Sequence, residues 1–467
     1  MMRLTASDVE RICAGRLLFG SPATLFTSVI TDSRSASPGA LFFALRGERY
    51  DGREFVSSAL EMGASGAVTS APVKWEYPGA ALIQVEDTLA ALGRLAAAHR
   101  LRFKGRVVGV TGSVGKTTAK DMIAAVLSVR LNVLKNQGNM NTEIGVPLSV
   151  LNLSPEYDVG VFELAMRLKG EISYLAGIVR PQVGVITNIS ETHLERLGTR
   201  ENIALAKAEL LEALPHDGLA VLNGDNEWIQ RILPMARCRA VLYGIEAGAG
   251  SPAGQRPEVT ASDVAVNGDG TRFVLRSGGR SIPCFIPIPG GHHVYNALAA
   301  ACVGLNFGLE LEEIAGGLGG FRPSGMRSES IDAHGVRFIN DAYNASPVST
   351  KAALSVLSRV ARGRAVAVLG DMLELGEYTF AGHRETGETA AAEGIDVLVA
   401  VGRLAREIAA GALAAGMPAG RVHRVETNRE AIDLLKMMLK PGDTVLVKGS
   451  RGVRMEEILD ALVEDGS

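Results

Sequence analysis

The sequence is poor in cysteine, has no surplus of basic residues and contains no long apolar run. Its four cysteines are widely spaced and include no C-x-x-C pair, which argues against a zinc knuckle or a disulfide framework and favours a reducing cytoplasm. Lysine and arginine total 48 against 51 aspartates and glutamates, so the net charge of −3 provides no basic field for nucleic acid. No apolar segment approaches the length of a membrane span, so we expect no membrane insertion.

A chain of 467 residues is too long for one ordinary hydrophobic core, and its composition changes along its length. Residues 1–103 alternate short strands and helices and predict a small α/β domain. Residues 104–320 predict a central domain with a mostly parallel sheet, in which residues 245–290 are rich in strand-like segments. Residues 321–467 predict a Rossmann-like doubly wound sheet. We therefore expect a three-domain α/β protein.

The stretch VVGVTGSVGKTTAK, residues 107–120, is typical of a phosphate-binding loop between a strand and a helix. Such a loop directs backbone N–H groups toward one point, where Lys116 adds a positive charge and Thr117 a hydroxyl group for Mg²⁺. The usual first glycine is missing, since Val110 stands at that spacing. A chance glycine turn is the alternative, but strand and helix flank the loop where nucleotide binding requires them. The residues predicted to surround the phosphates are Thr111, Gly112, Ser113, Val114, Gly115, Lys116, Thr117 and Thr118.

Two polar residues follow strands of the predicted central sheet. Glu163 ends the strand-like part of YDVGVFEL, and Mg²⁺ bound between nucleotide phosphates needs an anionic oxygen ligand of this kind. His193 lies just past the strand in GVITNISETHLERLG, at the edge where parallel sheets bind ligands. A solvent-exposed carboxylate and a surface histidine are the ordinary interpretations. The phosphate loop favours the metal role for Glu163 and leaves both interpretations open for His193.

Lys207 occupies an unexpected position in the predicted helix ENIALAKAELLEAL. It lies four residues after Ile203 and three before Leu210, within the apolar stripe of the helix. Such a lysine ordinarily extends its ammonium group past the core to water. Near other cations its charged form would instead be disfavoured, which would leave a neutral amine able to react with carbon dioxide and give an anionic carbamate. The residues alone leave both possibilities open.

These segments together resemble the Mur ligase family, the ATP-dependent amide-forming enzymes of bacterial cell-wall synthesis, over nearly the whole chain. TGSVGKTT is similar to the shortened phosphate loop of that family, which accounts for the missing glycine. The resemblance implies ATP and two Mg²⁺ ions, with Thr117, Glu163 and His193 beside the metals and Lys207 carbamylated and bridging toward the second ion. Lys116, Glu163, His193 and Lys207 are the catalytic residues that it implies.

Several long segments are similar to the family member that joins D-alanyl-D-alanine to UDP-N-acetylmuramoyl-tripeptide through an acyl phosphate, with release of ADP and phosphate. They are NMNTEIGVPLSVLNL, INDAYNASPVSTKAAL, AVLGDMLELGE and VLVKGSRGVRMEEI. The resemblance implies these two small-molecule substrates, and we expect a monomer. It leaves open whether the third residue of the tripeptide is diaminopimelate or lysine.

The resemblance also assigns residues to each substrate. For ATP, in addition to the loop, these are His292, Asn296, Arg327, Asp341 and Asn344. For the uridine nucleotide they are Ser33, Arg34, Asn141 and Thr142. For the acceptor dipeptide they are Asp371, Met372, Glu374, Lys448 and Ser450.

Three residues depart from the family pattern. Arg167 and His293 each stand where asparagine is usual, and Arg53 stands where histidine is common. Folylpolyglutamate synthase, which shares two of the three domains and the acyl-phosphate chemistry, is the alternative assignment. The segment around Ser33 favours a uridine-nucleotide domain that such an enzyme lacks. A regulatory GTPase is disfavoured because no Asn-Lys-x-Asp motif occurs.

Overall fold

Three large sheets follow one another along the chain. The computed structural model describes residues 3–47, 50–246, 257–323 and 325–464. These residues form sheets of five, nine and six strands with helices packed against them, which confirms the predicted α/β class. The Gly-, Pro- and Ser-rich residues 247–256, part of the predicted strand-rich segment, lie outside the described residues. No helix in the described ranges is long and apolar enough to cross a membrane.

The N-terminal sheet is small and mostly parallel. The elements are β1 (Leu4–Thr5), α1 (Ala6–Cys13), β2 (Arg16–Phe19), β3 (Leu25–Phe26), β4 (Ser28–Ile30), β5 (Ala40–Phe43), α2 (Val56–Glu61), β6 (Gly66–Thr69), β7 (Ala81–Gln84) and α3 (Thr88–Arg100). The strand order is β2-β7-β6-β5-β4, with β2 antiparallel to β7 and the others parallel, and β1 pairs with β3 separately. Because core layers cover both faces, β5 is a continuous apolar run.

The central sheet carries the phosphate loop. The elements are β8 (Arg106–Thr111), α4 (Lys116–Leu127), β9 (Val133–Lys135), α5 (Gly145–Val150), β10 (Val159–Glu163), α6 (Glu171–Val179), β11 (Val183–Ile186), α7 (Leu194–Leu197), α8 (Arg200–Glu212), β12 (Leu219–Asn223), α9 (Glu227–Ile232), β13 (Arg239–Ile245), β14 (Val259–Asn267), β15 (Gly270–Ser277), β16 (Arg280–Ile286), α10 (His292–Asn306) and α11 (Leu311–Gly319). The order is β16-β15-β14-β13-β12-β11-β8-β10-β9, parallel from β9 to β14 and antiparallel beyond. The predicted strand-rich segment thus extends this same sheet.

The C-terminal sheet is parallel except for one edge hairpin. The elements are β17 (Glu329–Ala333), β18 (Val336–Asn340), α12 (Pro347–Val360), β19 (Ala365–Gly370), α13 (Thr379–Ala392), β20 (Val397–Val401), α14 (Arg406–Ala414), β21 (Val422–Val425), α15 (Asn428–Met438), β22 (Thr444–Lys448) and α16 (Glu456–Glu464). The strand order is β17-β18-β22-β19-β20-β21, and β17 and β18 are antiparallel. Helices on both faces make it the doubly wound arrangement that the sequence predicts.

Strand β8 positions the loop that follows it. It lies between β10 and β11 in the interior of the sheet. Val107 packs into one core layer and Val108 and Val110 into the other, all without exposed surface. Because β8, β10 and β11 are parallel, their last residues, which include Thr111 and Glu163, and the segments that follow meet at one edge of the sheet. Open parallel sheets bind ligands at this edge.

Candidate functional site

Two glycines allow the phosphate loop to pass close to its neighbours. Gly112 has φ 148°, and a β-carbon there would lie 2.0 Å from Thr187 Oγ1. Gly115 has φ 83°, and a β-carbon there would lie 2.7 Å from Asn296 Oδ1. Thr111 is fully buried, and its hydroxyl donates over 2.8 Å to a backbone carbonyl just past β10. The loop therefore requires its two glycines, while the residue at position 111 is part of the strand.

Lys116 begins α4 and folds its ammonium group back over the loop. Its Nζ donates to two carbonyl oxygens of the loop, at 3.0 and 3.3 Å. Burial lowers the pKa of Lys116, the Glu163 carboxylate opposes this change, and the Arg327 guanidinium adds to it. Arg327, which belongs to the C-terminal part of the chain, lies with its guanidinium carbon 3.8 Å from the centre of the Tyr343 ring. A cation from the C-terminal part therefore lies within electrostatic reach of the loop.

Hydrogen bonds hold Glu163 in one orientation at the end of β10. Thr117 Oγ1 donates to one carboxylate oxygen over 2.7 Å, and Asn141 Nδ2 donates to the other over 2.8 Å. The Glu163 N–H donates to Asn136 Oδ1 over 2.9 Å, and Asn136 Nδ2 donates to the Glu163 carbonyl over 3.2 Å. Only 1% of Glu163 is exposed. The carboxylate is thus pre-organised beside the first turn of α4.

His193 and Lys207 lie on the side of the loop formed by the segments after β11. His193 precedes α7, and its Nδ1 is 2.7 Å from Glu374 Oε2. Burial lowers the pKa of His193, the hydrogen bond to Glu374 opposes this, and the charges of Lys116 and Lys207 add to the lowering. Lys207 is buried in α8, and burial followed by the Lys116 charge lowers its pKa well below the usual value. The Lys207 ammonium therefore does not extend past the core to water.

A second cluster of polar residues includes the start of α10 and the ends of two strands of the C-terminal sheet. Asp341 forms an ion pair with Lys448, whose Nζ also donates to the Asn344 carbonyl over 3.0 Å. Burial lowers the pKa of His292 to about 4; the Asp341 charge opposes this lowering, and the Lys448 charge adds to it. His293 is buried, and neither of its ring nitrogens has a hydrogen-bond partner in the described part of the chain. Lys448, which the sequence assigns to the acceptor, thus lies with the residues predicted for ATP.

We expect the protein to lose stability as the pH falls from about 6.5 to about 4. Burial lowers the pKa of His292 and of His293 in the folded protein. The unfolded chain therefore binds protons at these positions first, and acid favours unfolding. Urea titrations should show a lower midpoint at about pH 5 than at about pH 7, and His292→Asn should reduce the difference. An unchanged midpoint would contradict neutral burial of the two rings.

The other side chains predicted for the acceptor are mostly bonded within the C-terminal part of the chain. Asp371 Oδ1 accepts from two backbone N–H groups before α14, at 2.9 and 2.7 Å. Met372 is buried, and Ser450 Oγ accepts from a backbone N–H of the loop after β19 over 2.9 Å. Glu374 instead contacts His193 of the central part. Asp371, Met372 and Ser450 are therefore held at the loop that follows β19 by hydrogen bonds and burial.

The four residues predicted for the uridine nucleotide fall into two places. Ser33 and Arg34 follow β4 of the N-terminal sheet, where Ser33 is buried and the exposed Arg34 forms an ion pair with a neighbouring aspartate. Thr142 is exposed just before α5 of the central part. Asn141 bonds to the Glu163 carboxylate and therefore belongs geometrically to the phosphate-loop site.

Some of the polar residues that organise the site are not among those predicted from the sequence. Lys120 is 1% exposed and donates to the Asn136 carbonyl over 2.7 Å. It therefore positions Asn136, whose side chain is hydrogen-bonded to both the N–H and the carbonyl of Glu163. The signal for Lys120 available in the sequence is its spacing of four residues from Lys116, which places both lysines on one face of α4. The contact between His193 and Glu374 joins residues 181 apart, and no local pattern indicates it.

Family models match most of the chain. The Mur ligase middle domain matches residues 110–304. The Mur ligase glutamate ligase domain matches residues 326–451, and the Mur ligase family catalytic domain matches residues 25–100.

Named relatives and solved structures match over nearly full length. The chain is 38% identical to a UDP-N-acetylmuramoyl-tripeptide–D-alanyl-D-alanine ligase of Bacillus subtilis, over 99% of both chains. It superposes on MurF of Acinetobacter baumannii with a TM-score of 0.89 and 32% identity, covering 100% of both chains. It superposes on MurF of Thermotoga maritima in complex with ADP with a TM-score of 0.80 and 27% identity, covering 94% of this chain and 97% of the other.

The alternative assignment has a weaker match. Folylpolyglutamate synthase of Mycobacterium tuberculosis superposes with a TM-score of 0.63 and 16% identity, covering 80% of this chain and 94% of the other. This likeness extends to the fold alone.

Proposed function

The chain belongs to the Mur ligase family, and we propose that it is the ATP-dependent ligase that joins D-alanyl-D-alanine to UDP-N-acetylmuramoyl-tripeptide in peptidoglycan precursor synthesis. The full-length similarity to enzymes of that name supports the choice of substrates. The observation that carries the chemistry is the convergence of the phosphate loop, Glu163, His193 and Lys207 at one edge of the central sheet. We place the reaction in the cytoplasm, where ATP is available, and expect the enzyme to act as a monomer.

The reaction needs a phosphoryl group because oxide cannot leave a free carboxylate. The carboxylate oxygen of the tripeptide bonds to the γ-phosphorus of ATP, the bond from that phosphorus to the β-phosphate oxygen breaks, and ADP leaves. The amine of D-alanyl-D-alanine then attacks the acyl carbon, loses a proton and expels phosphate. Lys116, whose ammonium lies over the loop, offsets the repulsion between the γ-phosphate and the attacking carboxylate.

The residues beside the loop fit Mg²⁺ bound chiefly through phosphate and water oxygens. Glu163 and Thr117 offer oxygen ligands next to one another. Within the described residues no cluster of three or more His, Cys, Asp or Glu side chains could hold a metal ion alone, so Glu163 and Thr117 would hold Mg²⁺ together with the nucleotide. When bound, Mg²⁺ neutralises charge on the transferring phosphoryl group. We assign Glu163 and Thr117 to one ion and His193 to the other.

We propose that Lys207 is carbamylated and supplies an anion toward the second ion. Its amine is buried and its pKa is lowered well below the usual value, first by burial and then by the Lys116 charge. A neutral amine adds carbon dioxide and releases a proton, which converts the buried neutral amine of Lys207 into an anion beside Lys116. The carbamate is attracted to the Lys116 ammonium group, whereas a protonated Lys207 would be repelled by it.

We assign the ATP site to both sides of the cleft between the central and C-terminal parts. Asn296 lies against Gly115 of the loop, and Arg327 is close enough to act on Lys116. We assign His292, Asp341 and Asn344 to ATP as well, and Lys448 with them because of its ion pair to Asp341. Closure of the C-terminal domain would exclude water from the acyl phosphate.

We assign the remaining substrates to separate parts of the chain. Residues 1–103, with Ser33 and Arg34, are assigned to the uridine nucleotide, and Thr142 extends this region. Residues 104–320 are assigned to ATP, and residues 321–467 to the acceptor dipeptide and additional ATP contacts. The acceptor assignment rests on the loop after β19 and on Ser450.

Phosphate release from ATP tests the function. With UDP-N-acetylmuramoyl-tripeptide, D-alanyl-D-alanine and Mg²⁺ all present, we expect steady release of phosphate and a product heavier than the nucleotide substrate by one dipeptide residue. Omission of either substrate should stop product formation. If the enzyme ligated glutamate to a folate and did not ligate the dipeptide, the result would favour the folylpolyglutamate synthase alternative. Diaminopimelate and lysine tripeptides offered separately would identify the third residue.

Asn141→Ala is expected to lower kcat by about 10- to 100-fold because its amide orients the Glu163 carboxylate, an indirect role of this usual size. The KM for UDP-N-acetylmuramoyl-tripeptide should stay near the wild-type value. Asn152→Ala, an exposed asparagine of the same domain, is the control. A raised KM for the nucleotide substrate with unchanged kcat would instead support the uridine-nucleotide role that the sequence suggests for Asn141.

A further inference from the structure

A side-chain hydrogen bond joins the central part of the chain to the C-terminal part at the active-site edge. His193 lies in the segment between β11 and α7, and Glu374 lies in the loop that follows β19. The His193 Nδ1 and Glu374 Oε2 atoms are 2.7 Å apart. The two residues therefore approach each other only when the two parts are docked.

The backbone around this contact is tightly constrained. His193 has φ 60° and Glu374 has φ 63°, a left-handed conformation that is unfavourable for a non-glycine residue. The Glu195 N–H donates to the Glu374 carbonyl over 3.4 Å. Gly376 has φ 56°, and a β-carbon there would lie 3.1 Å from Glu195 Cα. Two unfavourable conformations that face each other indicate a contact that the surrounding structure is built to maintain.

The chemistry of the pair determines which ring nitrogen of His193 carries the proton. An ionised carboxylate can only accept a hydrogen bond, so Nδ1 must donate to Glu374. In the neutral ring the other nitrogen, Nε2, then keeps its lone pair. Arg167 and Arg196 lie close enough to act on Glu374, and the hydrogen bond from His193 followed by these charges lowers the pKa of Glu374. Arg167, a departure from the family pattern, thus acts on this contact.

We propose that Glu374 is a positioning residue that holds His193 in the form with the proton on Nδ1, and that it does so only when the C-terminal domain is docked on the central domain. This proposal rests on the proposed function, in which His193 serves the second metal ion. In the docked arrangement the Nε2 lone pair of His193 is available to the site. Glu374 then acts through His193, and its carboxylate does not contact the dipeptide.

The proton position can be measured by ¹⁵N NMR on metal-free, full-length enzyme labelled at histidine, at about pH 8, where the ring is neutral. His193→Asn identifies the resonances of His193 by their loss. Wild type and Glu377→Ala, which removes an exposed carboxylate of the same loop, should show the proton on Nδ1. Glu374→Ala should move it mainly to Nε2. An unchanged proton position in Glu374→Ala would overturn the proposal, and this readout requires neither substrate nor activity.

Gly376→Val tests the dependence on docking. The added side chain meets the backbone of Glu195 and separates the two segments while the Glu374 carboxylate is retained. We expect the proton of His193 to move to Nε2 in this variant as well, with a thermal melt to establish that the variant is folded. A folded variant that keeps the proton on Nδ1 would refute the dependence on docking.

Kinetics separate positioning from acceptor binding. Glu374→Ala should lower kcat by about 10- to 100-fold with little change in the KM for D-alanyl-D-alanine. Glu374→Gln should recover most of this loss, because its amide oxygen still accepts from Nδ1. A raised dipeptide KM with normal kcat would show that Glu374 binds the acceptor and would overturn the proposal. If the enzyme used another acceptor, the NMR result would be unaffected, so the two failures are distinguishable.

Discussion

Replacing Lys116 by alanine is expected to lower kcat for ligation by about 10³-fold and to leave the affinity for UDP-N-acetylmuramoyl-tripeptide near the wild-type value. The Lys116 ammonium lies over the phosphate loop, within electrostatic reach of Glu163 and Arg327. It is the side-chain cation of the loop itself, and the γ-phosphoryl group must move onto another anion there. The uridine nucleotide is assigned to the N-terminal sheet, so its binding should not depend on this charge.

Phosphate-release kinetics measure kcat, and calorimetry without ATP measures the affinity for the nucleotide substrate. Lys169→Ala removes an exposed lysine of the same domain and should behave as wild type. Loss of nucleotide-substrate affinity in a folded Lys116→Ala variant would contradict the assignment of the two ligands to separate domains. Near-normal turnover would contradict the role of Lys116 in phosphoryl transfer.

Lys207→Ala is expected to lower kcat by about 10³-fold or more, and acetate at high concentration should restore part of the activity. The alanine variant loses the proposed carbamate and leaves space for a small carboxylate at the same position. It also removes a buried amine whose charged form is disfavoured by burial and by Lys116, so folding should not depend on that charge. A packing role for the lysine stem predicts the opposite, a loss of stability without rescue.

Lys207→Arg is the matched control. Its guanidinium group cannot form a carbamate and keeps a positive charge beside Lys116, so it should be inactive with or without acetate. A thermal melt of each variant separates loss of function from loss of folding. A stable Lys207→Ala variant with near-normal kcat would end the carbamate hypothesis.

Carbamylation itself can be observed without turnover. Wild-type enzyme equilibrated with ¹³C-bicarbonate should show a ¹³C carbamate resonance that is absent from Lys207→Ala. Absence of this resonance from active wild-type enzyme would contradict carbamylation even if acetate stimulated the alanine variant.

The fold class and the principal candidate residues follow from local patterns in the sequence. The β-branched run before the loop, the glycines at 112 and 115 and the helix after them are local patterns, and the structure has the strand, loop and helix there. Glu163 was predictable because a polar residue that ends an apolar parallel strand lies at the ligand-binding edge. Lys207 could be identified as a candidate because it is a charged residue within the apolar stripe of α8, and the structure shows that this stripe is buried.

The contacts between these residues, in contrast, depend on the three-dimensional arrangement of the sheets. Asn141 donates a hydrogen bond to the Glu163 carboxylate. Lys448 forms an ion pair with Asp341, 107 residues away in the sequence, and His193 is hydrogen-bonded to Glu374, 181 residues away. The sequence placed Asn141, Lys448 and Glu374 with other ligands, since each lies in a segment whose local pattern shows only a strand end or a loop. Propensity and hydrophobic period act over a few residues, whereas these contacts depend on sheet register and on how separate domains dock, which no local pattern encodes.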